Sequence, residues 1–149
     1  MQTNRDSSGV VVCTESALCT EVNANGHDLV ADEPAALGGT EAGPTPYDYL
    51  LTAIGSCTAI TVRMYADRKG WPLESVTVRV EHGRIHAKDC EECETNSGRI
   101  DRVQLELDLK GPLDAEQCER LREIAKKCPV KRTLDSETLI ETRVAMRRA

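Results

Sequence analysis

Alternation of apolar and polar positions marks the strands of this chain. Val76, Val78 and Val80 alternate with Thr77, Arg79 and Glu81, the two-residue period of a half-buried strand, predicted over Ser75 to His86. Val103, Leu105, Leu107 and Leu109 repeat the pattern over Arg102 to Leu109, with a polar stretch, 87–99, between the two. Val10 to Thr20 is rich in Val, Thr and Cys and alternates weakly; with His27 to Ala31 it predicts a hairpin, because Asn23-Ala-Asn25-Gly26 suits positive φ. A three- and four-residue period runs from Pro46 to Arg68, behind Thr45 as N-cap and Pro46 at the first helical position. Leu50, Ile54, Cys57, Thr61, Met64 and Tyr65 share one face, and Leu51, Ala53, Ile60 and Val62 widen it nearly all round, which predicts a buried helix. Asp114 caps a further helix to about Lys127, which Cys128-Pro129 ends, and Thr138 to Val144 predicts a last strand. Strands, helix, strands, helix, strand is the order of an α+β fold.

The 149 residues suit one compact domain over 10–149 behind a disordered polar tail, 1–9. Asp32 to Thr45 is a Gly- and Pro-rich connector without hydrophobic period, and connectors of that length are often functional. With no Phe and one Trp, the core must be aliphatic. A net charge of -6 argues against nucleic acid as a partner, and the basic tail Arg143, Arg147, Arg148 is too short to change that. No run reaches the roughly 20 apolar residues of a membrane span, and the N-terminus lacks the apolar stretch of a secretory signal, so a cytoplasmic protein is expected.

Seven cysteines cannot all pair internally, and in a reducing compartment thiols are reactive, metal-binding or simply buried. Cys57 lies among Ala53, Gly55, Ser56 and Ala59, where small neighbours suit either a packed thiol or a substrate. Cys128 follows Lys126 and Lys127, and Pro129 suits the start of a short helix. It is either a plug between helices or a thiolate held by free N–H groups. His82, His86, Cys90 and Cys93 make a weak zinc candidate. Four residues of strand separate the histidines by about 13 Å, and Asp89, Glu91, Glu92 and Glu94 disfavour thiolates at Cys90 and Cys93. These two are therefore expected to be dispensable for redox chemistry. Cys13, Cys19 and Cys118 read as packing residues.

The run Gly43-Pro-Thr-Pro-Tyr-Asp-Tyr-Leu-Leu-Thr-Ala-Ile-Gly-Ser-Cys57-Thr-Ala resembles the first cysteine motif of the OsmC/Ohr family, the osmotically inducible and organic hydroperoxide resistance proteins. Ile124-Ala-Lys-Lys-Cys128-Pro-Val-Lys-Arg-Thr-Leu resembles the second. Gly26 to Pro34 and His82 to Cys90 are similar to the broader OsmC-like subgroup. The resemblance implies an intertwined α+β homodimer, with sheets wrapped around central helices and no cofactor. It also implies a redox cycle in which Cys57 attacks a small organic hydroperoxide, the sulfenic acid condenses with Cys128, and a dithiol reduces the disulfide. The peroxide-reducing members activate the first cysteine with an N-terminal-region arginine and a helix glutamate. Here no Arg or Lys lies between Arg5 and Arg63, and Tyr47 stands at the glutamate position. Asp48 is beside it but nine residues from Cys57, which turns it away; Arg132 is the candidate cation. The alternative is a non-catalytic OsmC-like protein, ligand-binding or redox-responsive, whose thiols oxidise slowly.

Overall fold

The computed structural model describes residues 9–147; residues 1–8 of the predicted tail 1–9, and Arg148 and Ala149, lie outside the described residues. The chain divides into two compact units, one ending at Thr52 and the other beginning at Ala53.

In the first unit, β1 (Val10–Cys13), β2 (Thr20–Ala24) and β3 (His27–Ala31) form an antiparallel sheet in the order β1-β2-β3. The expected single strand from Val10 to Thr20 is broken. Ala17 adopts φ 55°, and the Thr14 hydroxyl meets the Ala17 and Cys19 carbonyls at 3.3 and 3.2 Å, closing a loop between two strands. The predicted Asn25-Gly26 turn forms with φ 52° and 88° at its centre, the left-handed pair a two-residue hairpin turn needs. The connector after β3 folds around Asp32, which is 2% exposed. Its carboxylate accepts the N–H groups of Glu33, Thr40 and Ala42 and the Thr40 hydroxyl. Those bonds hold its carboxyl at about 2, led by the Thr40 hydroxyl. The connector is thus a built loop, and its glycines are needed: a Cβ on Gly43 would lie 2.4 Å from the Val30 carbonyl oxygen.

Helix α1 spans Pro46–Lys69. Thr45 and Asp48 cap it reciprocally, Thr45 N–H donating to the Asp48 carboxylate at 2.9 Å and Asp48 N–H to the Thr45 hydroxyl at 3.1 Å. It ends in a Schellman motif: Gly70, at φ 66°, donates to Asp67 and Trp71 to Ala66.

In the second unit, β4 (Ser75–His86) and β5 (Arg99–Lys110) make a long antiparallel hairpin registered from Ser75↔Lys110 to His86↔Arg99. Helix α2 (Ala115–Ala125) starts at a capping box between Asp114 and Gln117, and α3 (Pro129–Asp135) follows it. Val62, Ala66, Leu73, Leu121 and Ala125 form the core, with Val76, Leu107 and Leu109 packed on it. Gly55 lets α1 approach β4, since a Cβ there would be 2.9 Å from Val80 Cγ2.

Two expectations are corrected. Helix α1 buries a single four-residue row, Ile54, Thr58, Val62 and Ala66, while Ile60 and Met64 are exposed; one chain covers one side of a helix this apolar. The last strand, Thr138 to Val144, does not form, and Leu139, Ile140, Val144 and Met146 are 82–92% exposed. A strand needs a ladder partner, and among the described residues none pairs with this segment. The strand pairings among the described residues are all antiparallel, in a mixed helix–sheet fold. No helix among the described residues is long and apolar enough to cross a membrane.

Candidate redox site

Cys57 sits mid-α1, half-buried, on the turn between Ile54 and Thr61. Cys128 is fully buried as the N-cap residue of α3, with Pro129 at the first helical position. Proline is why Cys128 takes this place: it cannot continue α2 but is preset to begin a helix. Arg132 N–H closes the first turn on the Cys128 carbonyl at 3.1 Å. The two thiols, from different elements, lie close enough for each to act on the other's ionisation. The Cys128 thiol also faces the Ile54 carbonyl at 4.0 Å.

The surroundings of the sulfurs differ. Burial pushes the Cys57 thiol up, and its hydrogen bond to Cys128 adds to this, outweighing the Val130 N–H and the Thr61 hydroxyl. Burial also acts upward on Cys128. There the Cys57 thiol, the Lys131 N–H, the Thr58 hydroxyl and the Val130 N–H together overcome it and bring the thiol below its ordinary value. The pair therefore loses its first proton as a unit, with the negative charge resting on Cys128 and Cys57 donating to it. The stabilisation comes from backbone N–H groups and hydroxyls, so it depends on folding rather than on a nearby cation.

The other expected site residues lie elsewhere. Arg132 is exposed, and its guanidinium is not among the groups that weigh most on either sulfur. Asp48 is committed to the helix cap through Thr45. Arg63 reaches the Leu73 and Glu74 carbonyls at 2.5 and 3.0 Å. Cys90 and Cys93 are joined to each other in a disulfide, and His82 meets Asp101 at 2.9 Å. Among the described residues no group of three or more His, Cys, Asp or Glu is arranged to hold a metal ion. Cys13, Cys19 and Cys118 are free thiols, Cys13 exposed and the others half-buried. Sequence reasoning missed Thr58 and Thr61 as sulfur partners. Their signal was position: Thr61 is one turn after Cys57, and its hydroxyl donates to the Cys57 carbonyl at 2.7 Å.

The sequence profile of the OsmC family, described as OsmC-like protein, matches residues 38–143, which include both cysteines of this pair. The chain belongs to the OsmC-like family. Its fold is similar to solved OsmC-type structures. An OsmC-like protein from Mycoplasma pneumoniae superposes with a TM-score of 0.67 at 16% identity, over 89% of this chain and 89% of that one. An organic hydroperoxide resistance protein OsmC from Legionella pneumophila gives 0.63 at 18% identity, over 89% and 91%. The organic hydroperoxide resistance protein OhrB of Bacillus subtilis gives 0.58 at 17%, over 85% and 88%. Identities this low establish the OsmC-like fold and leave the chemistry to the residues of the site. No curated protein sequence matches the chain.

Proposed function

We propose that this OsmC-like protein is a thiol peroxidase that reduces small organic hydroperoxides through Cys57 and Cys128. The observation that carries the reading is the neighbouring pair of free thiols, one sulfur half-buried and the other fully enclosed. A peroxide meets Cys57 first, so Cys57 is the attacking residue and Cys128 the resolving one. The shared proton passes from Cys57 to Cys128, and the Cys57 thiolate attacks the peroxide oxygen. The O–O bond breaks, the alkoxide takes up a proton and leaves as an alcohol, and Cys57 becomes a sulfenic acid. The Cys128 thiolate then attacks the Cys57 sulfur, forming the disulfide and releasing water. A dithiol returns both thiols and is itself oxidised to a disulfide. The setting is the cytoplasm, where dithiol reductants are maintained.

The working unit is a homodimer. Ile60 and Met64 on α1 and Leu139, Ile140, Val144 and Met146 in the C-terminal segment are exposed apolar side chains, more than a monomer of this size ordinarily leaves to water. A folded monomer in sedimentation at micromolar concentration would refute it. A second reading, a ligand-binding or redox-responsive protein with slowly oxidising thiols, is favoured by the raised Cys57 thiol, with no cation among the groups that weigh most on it.

Mass spectrometry of reduced protein after one equivalent of organic hydroperoxide separates the two. A Cys90→Ser/Cys93→Ser background keeps the second disulfide silent. The peroxidase reading expects a Cys57–Cys128 disulfide. Cys57→Ser abolishes it, and Cys128→Ser leaves a sulfenic acid at Cys57 that excess peroxide carries to sulfinic acid. Peroxide consumption no faster than that of a free thiol would leave the slow-oxidation reading standing.

A further inference from the structure

A cavity of about 620 Å³ lies between the C-terminal half of α1 and the junction of α2 with α3. Met64, Ile124 and Pro129 give it apolar walls, and Arg68 and Lys127 bring cations to it. It adjoins the thiol pair at two points. Thr61 lines it, and the Thr61 hydroxyl also acts on the Cys57 sulfur. Pro129 lines it too and directly follows Cys128.

Cys57, Thr61, Met64 and Arg68 succeed one another along α1 at steps of four, three and four residues, which puts them on one helix face. About three turns, roughly 16 Å along the axis, separate Cys57 from Arg68. That face runs from a thiol, over an apolar side chain, to a guanidinium.

The charges of the cavity are unbalanced. Its carboxylate, Asp67, pairs with Arg63 at 3.5 Å. Arg68 rests over the Tyr65 ring at 5.5 Å. Among the described residues neither Arg68 nor Lys127 meets a carboxylate. The chain as a whole carries a net charge of -6, so carboxylates are plentiful elsewhere. Two cations left without one, at the mouth of an apolar cavity, attract an anion from solution.

We propose that this cavity binds an amphiphilic carboxylate, whose apolar chain lies along Met64, Ile124 and Pro129 and whose carboxylate meets Lys127 and Arg68. Binding needs no turnover. The inference rests on the peroxidase reading in one respect: where the chain carries the hydroperoxide, Lys127 and Arg68 are specificity-determining residues that select acidic hydroperoxides over neutral ones.

Dodecanoate below its micelle concentration is the probe, with dodecanol as its uncharged match. Calorimetry on the reduced full chain is expected to show dodecanoate bound about tenfold more tightly, as two exposed ion pairs give. Bound dodecanoate should also slow alkylation of Cys57 by N-ethylmaleimide and leave the exposed Cys13 as reactive as before. Lys127→Gln/Arg68→Gln should remove the preference, and Lys127→Glu/Arg68→Glu should turn it toward dodecylammonium. Lys127→Gln alone, which leaves α1 intact, should cut the preference by about threefold and serves if the double variants fail to fold. Equal affinity for dodecanoate and dodecanol, a preference that survives the substitutions, or Cys57 alkylated as fast with dodecanoate as without overturns the inference. In turnover, a straight-chain ω-hydroperoxy acid should show a lower KM than its methyl ester, with the ratio falling toward one in Lys127→Gln/Arg68→Gln; equal KM values in the parent overturn the assigned specificity. A chain that binds dodecanoate as expected and consumes neither hydroperoxide overturns only the peroxidase reading.

Discussion

Replacing Thr58 with valine removes one hydroxyl from the redox site and little else. Thr58 is 1% exposed, and its hydroxyl donates to the Ile54 carbonyl at 2.8 Å while lying against the Cys128 sulfur, whose thiolate it stabilises. When Cys128 ionises, the hydroxyl proton can turn from the carbonyl to the sulfur. A hydrogen bond to a charged group contributes about 1.5–3 kcal/mol, and a diffuse sulfur anion with several other donors takes the low end. One unit of pKa corresponds to about 1.4 kcal/mol, so Thr58→Val should raise the first proton loss of the pair by about one unit. At pH values below that ionisation the Cys128 thiolate is then about tenfold rarer, while the Cys57 thiolate that attacks the peroxide is not disfavoured, so oxidation by hydroperoxide should not slow by that factor. Stability should move by less than about 1 kcal/mol, because valine leaves no orphan donor and the Ile54 carbonyl keeps its helical N–H. Thiolate absorbance near 240 nm against pH, in fully reduced protein, reads the shift, and thermal unfolding checks the fold. An unmoved titration in a protein of unchanged stability would refute the reasoning, since the hydroxyl would then contribute nothing to the anion.

Arg132→Ala should leave the thiol titration where it is, because the guanidinium is exposed and is not among the groups that weigh most on either sulfur; an upward shift would restore it as the activating cation. Leu121→Ala, at a side chain with 0% exposure packed against Val62, Ala66 and Leu73, should cost about 3 kcal/mol through lost burial and the cavity left behind. Calorimetry should show this as a melting temperature lower by roughly 10 °C. The connector should loosen in acid. Asp32 has its carboxyl lowered to about 2 from 3.8, so its contribution is fully present above the unfolded value and fades as pH falls from about 4 through 2. Hydrogen exchange over residues 32–45, corrected for intrinsic rates, should rise across that window, and an unchanged profile would count against the buried carboxylate as the loop's organiser.

The local elements were legible in the sequence because their causes are local. Thr45-Pro46 and Gly70 bound α1 through capping and backbone chemistry that needs no distant partner, and the valine alternation of β4 survives into its pairing with β5. Cys128 could be placed at a helix start because Pro129 both ends one helix and begins the next. What the sequence left open depended on groups brought from far along the chain. Periodicity could not choose which side of an apolar helix is covered; packing against β4 and α2 selected Ile54, Thr58, Val62 and Ala66. Nor could spacing show that a strand-like segment after Ser136 finds no ladder partner among the described residues. The ionisation of the thiol pair was the least legible of all. Cys57 alone reads as a small buried hydrophobe, and Cys128 alone as a helix-junction residue. The N–H groups of Val130 and Lys131 come from the helix that Cys128 begins, but only the tertiary structure brings the Cys57 thiol and the Thr58 hydroxyl to its sulfur. A proton shared between two groups belongs to their separation and surroundings, and neither is a property of any stretch of sequence.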